Sequence, residues 1–245
     1  MHTPQKTLRL HAEECLRRAG LATDPLIRLD FLNLASHWLD LAATSQEMET
    51  WRERLGRSNR ISSGKVLQET LFKFQAWRRC QAKALKFTML GARLDVALGV
   101  LTRTASEFIG DGARTAFYIA DSAGTTLHHV VGMPAAYAEA VDGFKIGADS
   151  LACGLATHTG KAVLTADVAA DARWEPWRRM ADKFDYRGCW SFPIIASVRR
   201  GSFAVYSSDP RTASSADLEF AELVTLTAAI LITQHACRAT PQWGC

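Results

Sequence analysis

Residues 187–206 read RGCWSFPIIASVRRGSFAVY. Two apolar runs, residues 189–196 and 201–207, are each of strand length, and Val198-Arg-Arg200 closes them into a β-hairpin. Side chains alternate across a strand. Trp190, Phe192 and Ile194 therefore share one face and Cys189, Ser191 and Pro193 the other, and either set can line a pocket.

Residues 115–120 and 125–131 form a second hairpin around the turn Asp121-Ser-Ala-Gly124. Asp149 or Ser150 can cap a short helix that ends at Gly160, residues 162–168 read as a further strand, and 172–186 is helical or loop-like. Ser214-x-x-Asp217 is a capping-box signal. It opens a last helix with two apolar stripes, Ala221, Val224, Ala228, Leu231 and Leu223, Leu226, Ile230, so both of its sides are buried. Upstream, Leu94, Leu98, Leu101, Ala105 and Phe108 keep a 4-3-4-3 spacing, and Gly91 separates them from a helical run with Leu67, Leu71, Phe74 and Trp77. Hairpins bounded by helices indicate an α+β fold, an antiparallel sheet with helices on one side.

The N-terminal part has a different texture. Leu8, Ala12, Cys15, Leu16 and Ala19 mark a helix over 5–19 that stops at Gly20, and Asp24-Pro25 caps a second one. That second helix carries adjoining stripes, Leu29, Leu32, Ala35, Leu39, Ala42 and Phe31, Leu34, Trp38, Leu41, a face so wide that a third helix or a second copy of the chain must cover it. Residues 56–64, GRSNRISSG, read as a linker. The expected organisation is a helical hairpin and linker over 1–62, a connecting helix over 63–88, a sensory domain over 89–237 and a tail over 238–245.

In order along the chain, several short motifs resemble a GAF domain of bacterial signalling proteins. They are Ser150-Leu-Ala-Cys153-Gly154, Gly160-Lys-Ala-Val163, Asp171-Ala-Arg-Trp174, Arg187-Gly-Cys-Trp-Ser191, Gly201-Ser-Phe-Ala-Val-Tyr206 and Ala216-Asp-Leu218. The resemblance covers residues 88–237, and the segment 193–201 is shorter than the family pattern. It implies a GAF-like central antiparallel sheet with flanking helices, preceded by the helical hairpin and connecting helix. It further implies small-molecule sensing, a homodimer through the helices at 92–109 and 215–237, and a histidine kinase or another signalling protein as partner. The fold alone identifies neither ligand nor cofactor.

Aromatic side chains suit a pocket for a planar ligand. The ligand-binding candidates are Cys153, Trp174, Trp177, Tyr186, Cys189, Trp190 and Tyr206. Cys153 sits near a helix start, where a thiol pKa is lowered. That supports an alternative reading as a thiol redox enzyme or sensor of the free methionine sulfoxide reductase type, although that family's second cysteine does not fall at Cys189. A third reading is a ligand-free dimerisation adaptor. Arg173, Arg178 and Arg179 could clamp an anion, and His128, His129 and His158 could ligate a metal, but a solvated surface explains both sets more simply. No cysteine precedes a histidine as in bilin-binding relatives, and the cyclic-nucleotide signature is missing.

Composition narrows the classes. Forty-eight per cent apolar residues in 245 are enough for packed cores. No run approaches the roughly 18 apolar residues of a membrane span, and the N-terminus has no signal-peptide pattern, so a cytoplasmic protein is expected. The six cysteines have no framework spacing and read as reduced thiols. Residues 1–88 carry 15 Lys and Arg against 9 Asp and Glu, a net of +6, while the remainder is −2. The basic residues interleave with acids and apolar side chains at helical spacing, so no nucleic acid is expected. P-loop, HExxH, GxSxG and paired-carboxylate motifs are missing, as are kinase and helix-turn-helix signatures, and the chain reads as a non-enzyme without an output domain.

Overall fold

A computed structural model describes residues 4–32, 34–39, 42 and 61–239. The chain divides into two compact units, residues 1–78 with 237–245, and residues 79–236.

In the first unit, α1 spans Pro4–Leu21 and α2 is helical over 25–32 and 34–39. The Asp24 carboxylate accepts from the Leu26 backbone N–H at 2.7 Å, the expected cap. Gly20 does not stop α1, which runs one residue further. Ala12, Cys15, Ala19, Leu34, Ala35, Trp38 and Ala42 are buried, with His11 and Trp38 in ring contact at 4.9 Å. Leu16, assigned to the buried stripe, is exposed instead, as are Leu29, Leu32 and Leu39. The small residues Ala12, Ala19 and Ala35 occupy the buried line, while these leucines lie on its flank. Leu41 and residues 56–60 of the expected linker lie outside the described residues. Residues 61–64 open α3, which spans Ile61–Met89, so the helix begins before its apolar period does.

The second unit is built on one antiparallel sheet. Its strands are β1 (Arg114–Ala120), β2 (Thr126–Val131), β3 (Phe144–Lys145), β4 (Val163–Thr165), β5 (Gly188–Ile195) and β6 (Arg200–Ser207), in the order β3-β2-β1-β6-β5-β4. The hairpin expected over 189–207 forms, with Gly188 paired to Ser207 and Ile195 to Arg200 around a turn at 196–199. At Gly201 a Cβ would collide with the Tyr118 carbonyl oxygen, so the close pairing of β6 with β1 requires glycine there. The strand expected over 162–168 is only three residues long. The Asp167 carboxylate accepts from the Ala169 N–H at 3.0 Å and from Arg187 at 2.9 Å, turning the chain away from the sheet.

One face of the sheet carries a layer of long helices. The layer comprises α4 (Leu94–Ile109), α8 (Ser215–Ala239) and the C-terminal turns of α3. Gly91, at φ +84°, breaks α3 from α4 as expected. Phe108 of α4 stacks on Phe220 of α8 at 3.7 Å, Gln81 donates to Thr227 at 2.7 Å, and Cys80 donates to the Val100 carbonyl at 3.2 Å. Thr115 of β1 donates to the Thr102 carbonyl of α4, tying sheet to layer. The capping box forms in both directions, the Ser214 hydroxyl accepting from the Asp217 N–H at 3.2 Å and the Asp217 carboxylate from the Ser214 N–H at 2.9 Å.

Helices occur on the second face as well, which corrects the expectation of one side only. Short elements gather there: α5 (Ala135–Val141), α6 (Ala152–Thr159), a 3₁₀ segment (Ala172–Trp177) and α7 (Arg178–Lys183). Neither α5 nor the two-residue β3 was expected, because elements this short show no period. Neither Asp149 nor Ser150 caps α6. Leu151 takes that position without a side-chain bond, and the Ser150 hydroxyl donates to the Lys145 carbonyl at 2.5 Å.

Candidate ligand pocket

Strand alternation decides what this second face presents. On the central strands it carries Ala116, Tyr118 and Ala120 of β1, Ser202, Ala204 and Tyr206 of β6, and Cys189 and Ser191 of β5. The small residues let α6 lie close. Cys153 Sγ and Ser191 Oγ hydrogen-bond at 3.1 Å, and the Thr157 hydroxyl donates to the Gly201 carbonyl at 3.1 Å. Beyond the start of α6 the face becomes aromatic, and a pocket opens between the sheet and the short helices.

The sheet supplies Tyr118, Leu127, Cys189 and Tyr206 to its wall. Opposite stand Leu151, Ala152 and Cys153 at the start of α6, Tyr137 and Val141 of α5, and Phe144 of β3. Trp174, Trp177, Met180 and Tyr186 close the remaining side. The Tyr137 hydroxyl donates to the Tyr206 hydroxyl at 3.1 Å, and Tyr118 and Tyr206 share a second hydrogen bond of 2.9 Å. The Tyr186 ring meets that of Tyr206 edge-on at 5.1 Å. Trp174 is fixed by donation from Nε1 to the Thr165 hydroxyl at 3.1 Å, and Trp177 stands edge-on to Phe144 at 5.2 Å.

Little free space remains among these side chains, a cavity of about 40 Å³. That is room for about three water molecules. A planar molecule would enter only if part of the wall moved. The half-buried Trp177 and Met180, on the 3₁₀ segment and α7, are the wall residues least held by the sheet.

Burial sets the chemistry. It pushes the hydroxyls of Tyr118, Tyr137 and Tyr206 well above the ordinary tyrosine range, so all three are neutral donors. It also raises the thiols of Cys153 and Cys189, although the hydrogen bond with Ser191 works against the rise. The lowered thiol that the redox alternative requires of Cys153 is opposed by this burial. Its place near a helix start is outweighed by removal from water.

Of the seven residues selected from sequence, six converge on the pocket: Cys153, Trp174, Trp177, Tyr186, Cys189 and Tyr206. Trp190 does not. Cys189 pairs with Tyr206 and turns inward with it, so its neighbour Trp190 points to the long helices, donates from Nε1 to the Arg211 carbonyl at 3.1 Å and lies under the Arg211 guanidinium at 5.2 Å. Sequence reasoning passed over Tyr118, Leu127, Tyr137, Val141, Phe144, Leu151 and Met180. Tyr118 could have been found from its place on β1 once β1 was paired with β6, whereas Tyr137 and Phe144 lie on elements too short to read.

The remaining candidates lie elsewhere. Arg173 binds the Asp171 carboxylate at 2.6 Å in the cap of the 3₁₀ segment. His128 pairs with Asp142 at 3.0 Å, and His129 Nε2 accepts from the Met133 N–H at 3.3 Å. Among the described residues, no three His, Cys, Asp or Glu side chains are grouped as a metal site would require.

A segment of 144 residues is 28% identical to the methyl sulfide methyltransferase-associated sensor of Methanosarcina acetivorans, covering 57% of this chain and 14% of that protein. The chain thus matches about one seventh of that relative's length. Among solved structures, the GAF domain of a Coxiella burnetii phosphoenolpyruvate-protein phosphotransferase is similar with a TM-score of 0.51 at 16% identity, over 66% of this chain and 96% of that one. A methyl-accepting chemotaxis protein gives a TM-score of 0.52 at 15% identity, over 66% and 99%. At such identities the agreement is one of fold. The family model of the GAF domain matches residues 91–233, more than half of the sequence, and the chain belongs to the GAF domain family.

Proposed function

We propose that this chain is a non-catalytic sensor whose GAF domain binds a small planar molecule in the pocket between Tyr206 and Trp177 and passes the event to a partner protein. The observation that carries this reading is the convergence of Tyr118, Tyr137, Tyr186, Tyr206 and two tryptophans on one apolar pocket above a packed sheet. The relative in Methanosarcina acetivorans, named as a sensor, supports the same reading. So does the state of the thiols: Cys153 and Cys189 are held protonated, which is the opposite of what a nucleophilic or redox cysteine needs.

Signalling requires that the ligand favour one arrangement of the long helices over another, with a coupling of about 1–3 kcal/mol. The route runs through the sheet to α4 and α8, the helices at 92–109 and 215–237 through which a homodimer and a histidine kinase or similar partner would read it. Native mass spectrometry of protein purified from its own cells, before and after denaturation, tests the reading. An excess mass released on denaturation supports a bound small molecule, and one that survives places a covalent ligand on a pocket cysteine. A bare chain at full occupancy of its dimer would overturn ligand sensing in favour of the adaptor.

A further inference from the structure

The proton count of the pocket goes further and, given the ligand-sensing reading, defines the chemistry of the ligand. Three hydroxyls, those of Tyr137, Tyr206 and Tyr118, share two hydrogen bonds. Each bond uses one hydrogen, and each phenol carries one. Tyr137 gives its hydrogen to Tyr206, the Tyr118–Tyr206 bond uses a second, and the third can turn to the Tyr137 oxygen, so the three hydroxyls satisfy one another. The sulfur of Cys153 is near Tyr206 but is a weak acceptor. Tyr186 differs. Its side chain is 1% exposed, its ring lies against Tyr206 and Tyr137, and its hydroxyl has no hydrogen-bond partner.

A buried hydroxyl without a partner is costly and uncommon in native proteins. A surplus donor in the wall of a cavity with room for water therefore points to an acceptor that arrives with a ligand and takes the water's place. The start of α6, Leu151 to Cys153, lies on the same wall and adds the partial positive charge of a helix N-terminus. None of the residues on the wall is Lys, Arg, His, Asp or Glu, so nothing there offsets the dehydration of a full charge. We infer that the pocket selects an uncharged, flat, largely apolar molecule carrying a hydrogen-bond acceptor, a carbonyl oxygen or a ring nitrogen, which takes its hydrogen bond from Tyr186.

Three probes of similar size separate the terms: acetophenone with a neutral acceptor, ethylbenzene with none, and benzoate with a charged one. Binding to the full chain is measured by titration calorimetry. Acetophenone is expected to bind about tenfold more tightly than ethylbenzene, the ratio that one neutral hydrogen bond supplies near the top of its net range. In Tyr186→Phe that advantage falls below about threefold while ethylbenzene binds as before. Because the substitution removes only an unpartnered hydroxyl, the variant is expected to melt no lower than the parent. Equal binding of acetophenone and ethylbenzene overturns the inference and leaves the pocket standing, as does an advantage that survives in Tyr186→Phe. Benzoate as the tightest probe overturns the choice of an uncharged ligand. Failure of all three to bind overturns the inference, while a mass excess in native mass spectrometry would still leave the ligand-sensing reading standing.

Discussion

Arg211 is the side chain whose loss should cost the domain most among its exposed or half-buried residues. One nitrogen of its guanidinium binds the Ile109 carbonyl at 3.2 Å and the Asp111 carboxylate at 3.3 Å, and the other spans both oxygens of Asp217 at 3.0 and 3.2 Å. The same plane covers Trp190. The end of α4, strand β5 and the start of α8 are thus joined through one cation. Asp111 is 85% exposed and contributes almost nothing. Asp217 is 10% exposed, and a charge-assisted pair of that kind is worth about 1.5–3 kcal/mol. The carbonyl bond adds about 1 kcal/mol and the ring contact about 0.5–1 kcal/mol. These terms share one group and do not sum freely. We expect Arg211→Met, which keeps the aliphatic stem, to lose about 3 kcal/mol, mostly as the cost of leaving Asp217 unpaired. For a chain of 245 residues that is about 6–12 °C in melting temperature. Differential scanning calorimetry measures it. Arg211→Met/Asp217→Asn should recover at least about 1 kcal/mol relative to the sum of the single variants. A single variant melting within about 1 °C of wild type, or a strictly additive pair, would refute the reasoning.

Trp190→Phe is expected to lose about 1 kcal/mol in urea denaturation, through the bond to the Arg211 carbonyl, and to leave probe binding unchanged; weakened binding would return Trp190 to the pocket. Gly201→Ala drives a methyl into the Tyr118 carbonyl and should destabilise by about 2 kcal/mol or more, and a neutral result would mean that β1 and β6 can separate at little cost. Cys153 and Cys189 should resist iodoacetamide at pH 8 in the native protein and react once it is unfolded in urea, as read by mass spectrometry. Their raised pKa also fixes a sign. The folded state retains thiol protons that the unfolded chain releases, so this part of the stability is complete below the ordinary thiol pKa of about 8.5 and declines as pH rises beyond it. Stability that increases between pH 8 and 10 would contradict it.

The hairpins, the capping box at Ser214, the break at Gly91 and the long helices were legible because each is a local signal of spacing or turn chemistry. The face of β5 was not. A central strand is buried on both sides, so polarity no longer distinguishes them. Side-chain size does. On β5 and β6 the residues on the α6 face are Ser191, Ser202 and Ala204, while Trp190, Phe192, Phe203 and Val205 fill the wider gap to the long helices. The alternation of small with large is present in GCWSFPI and GSFAVY, but it becomes readable only when one helix is known to lie close. Tyr137 and Phe144 were hidden for another reason. They sit on seven- and two-residue elements too short to show a period, and the shorter, β3, exists through its pairing with Thr126 and Leu127 rather than through local propensity.

The alternation that obscured the pocket is also what would make it effective. Tyr206 and Cys189 touch the pocket, and their immediate neighbours Val205 and Trp190 are buried in the helix layer at 2% and 1% exposure. A ligand that pushes on Tyr206 therefore acts on a close-packed interface one residue away, without any intervening loop. Trp190 in turn is held by Arg211, and Arg211 by Asp217, which completes the capping box of α8 with Ser214. The sheet is the shortest mechanical path from pocket to helix. On this argument Arg211→Met should do more than lower stability. It should disconnect ligand binding from any change in α8, so that acetophenone still binds while a spin label on the exposed Leu226 no longer reports it. A label that responds equally in both proteins would place the route elsewhere.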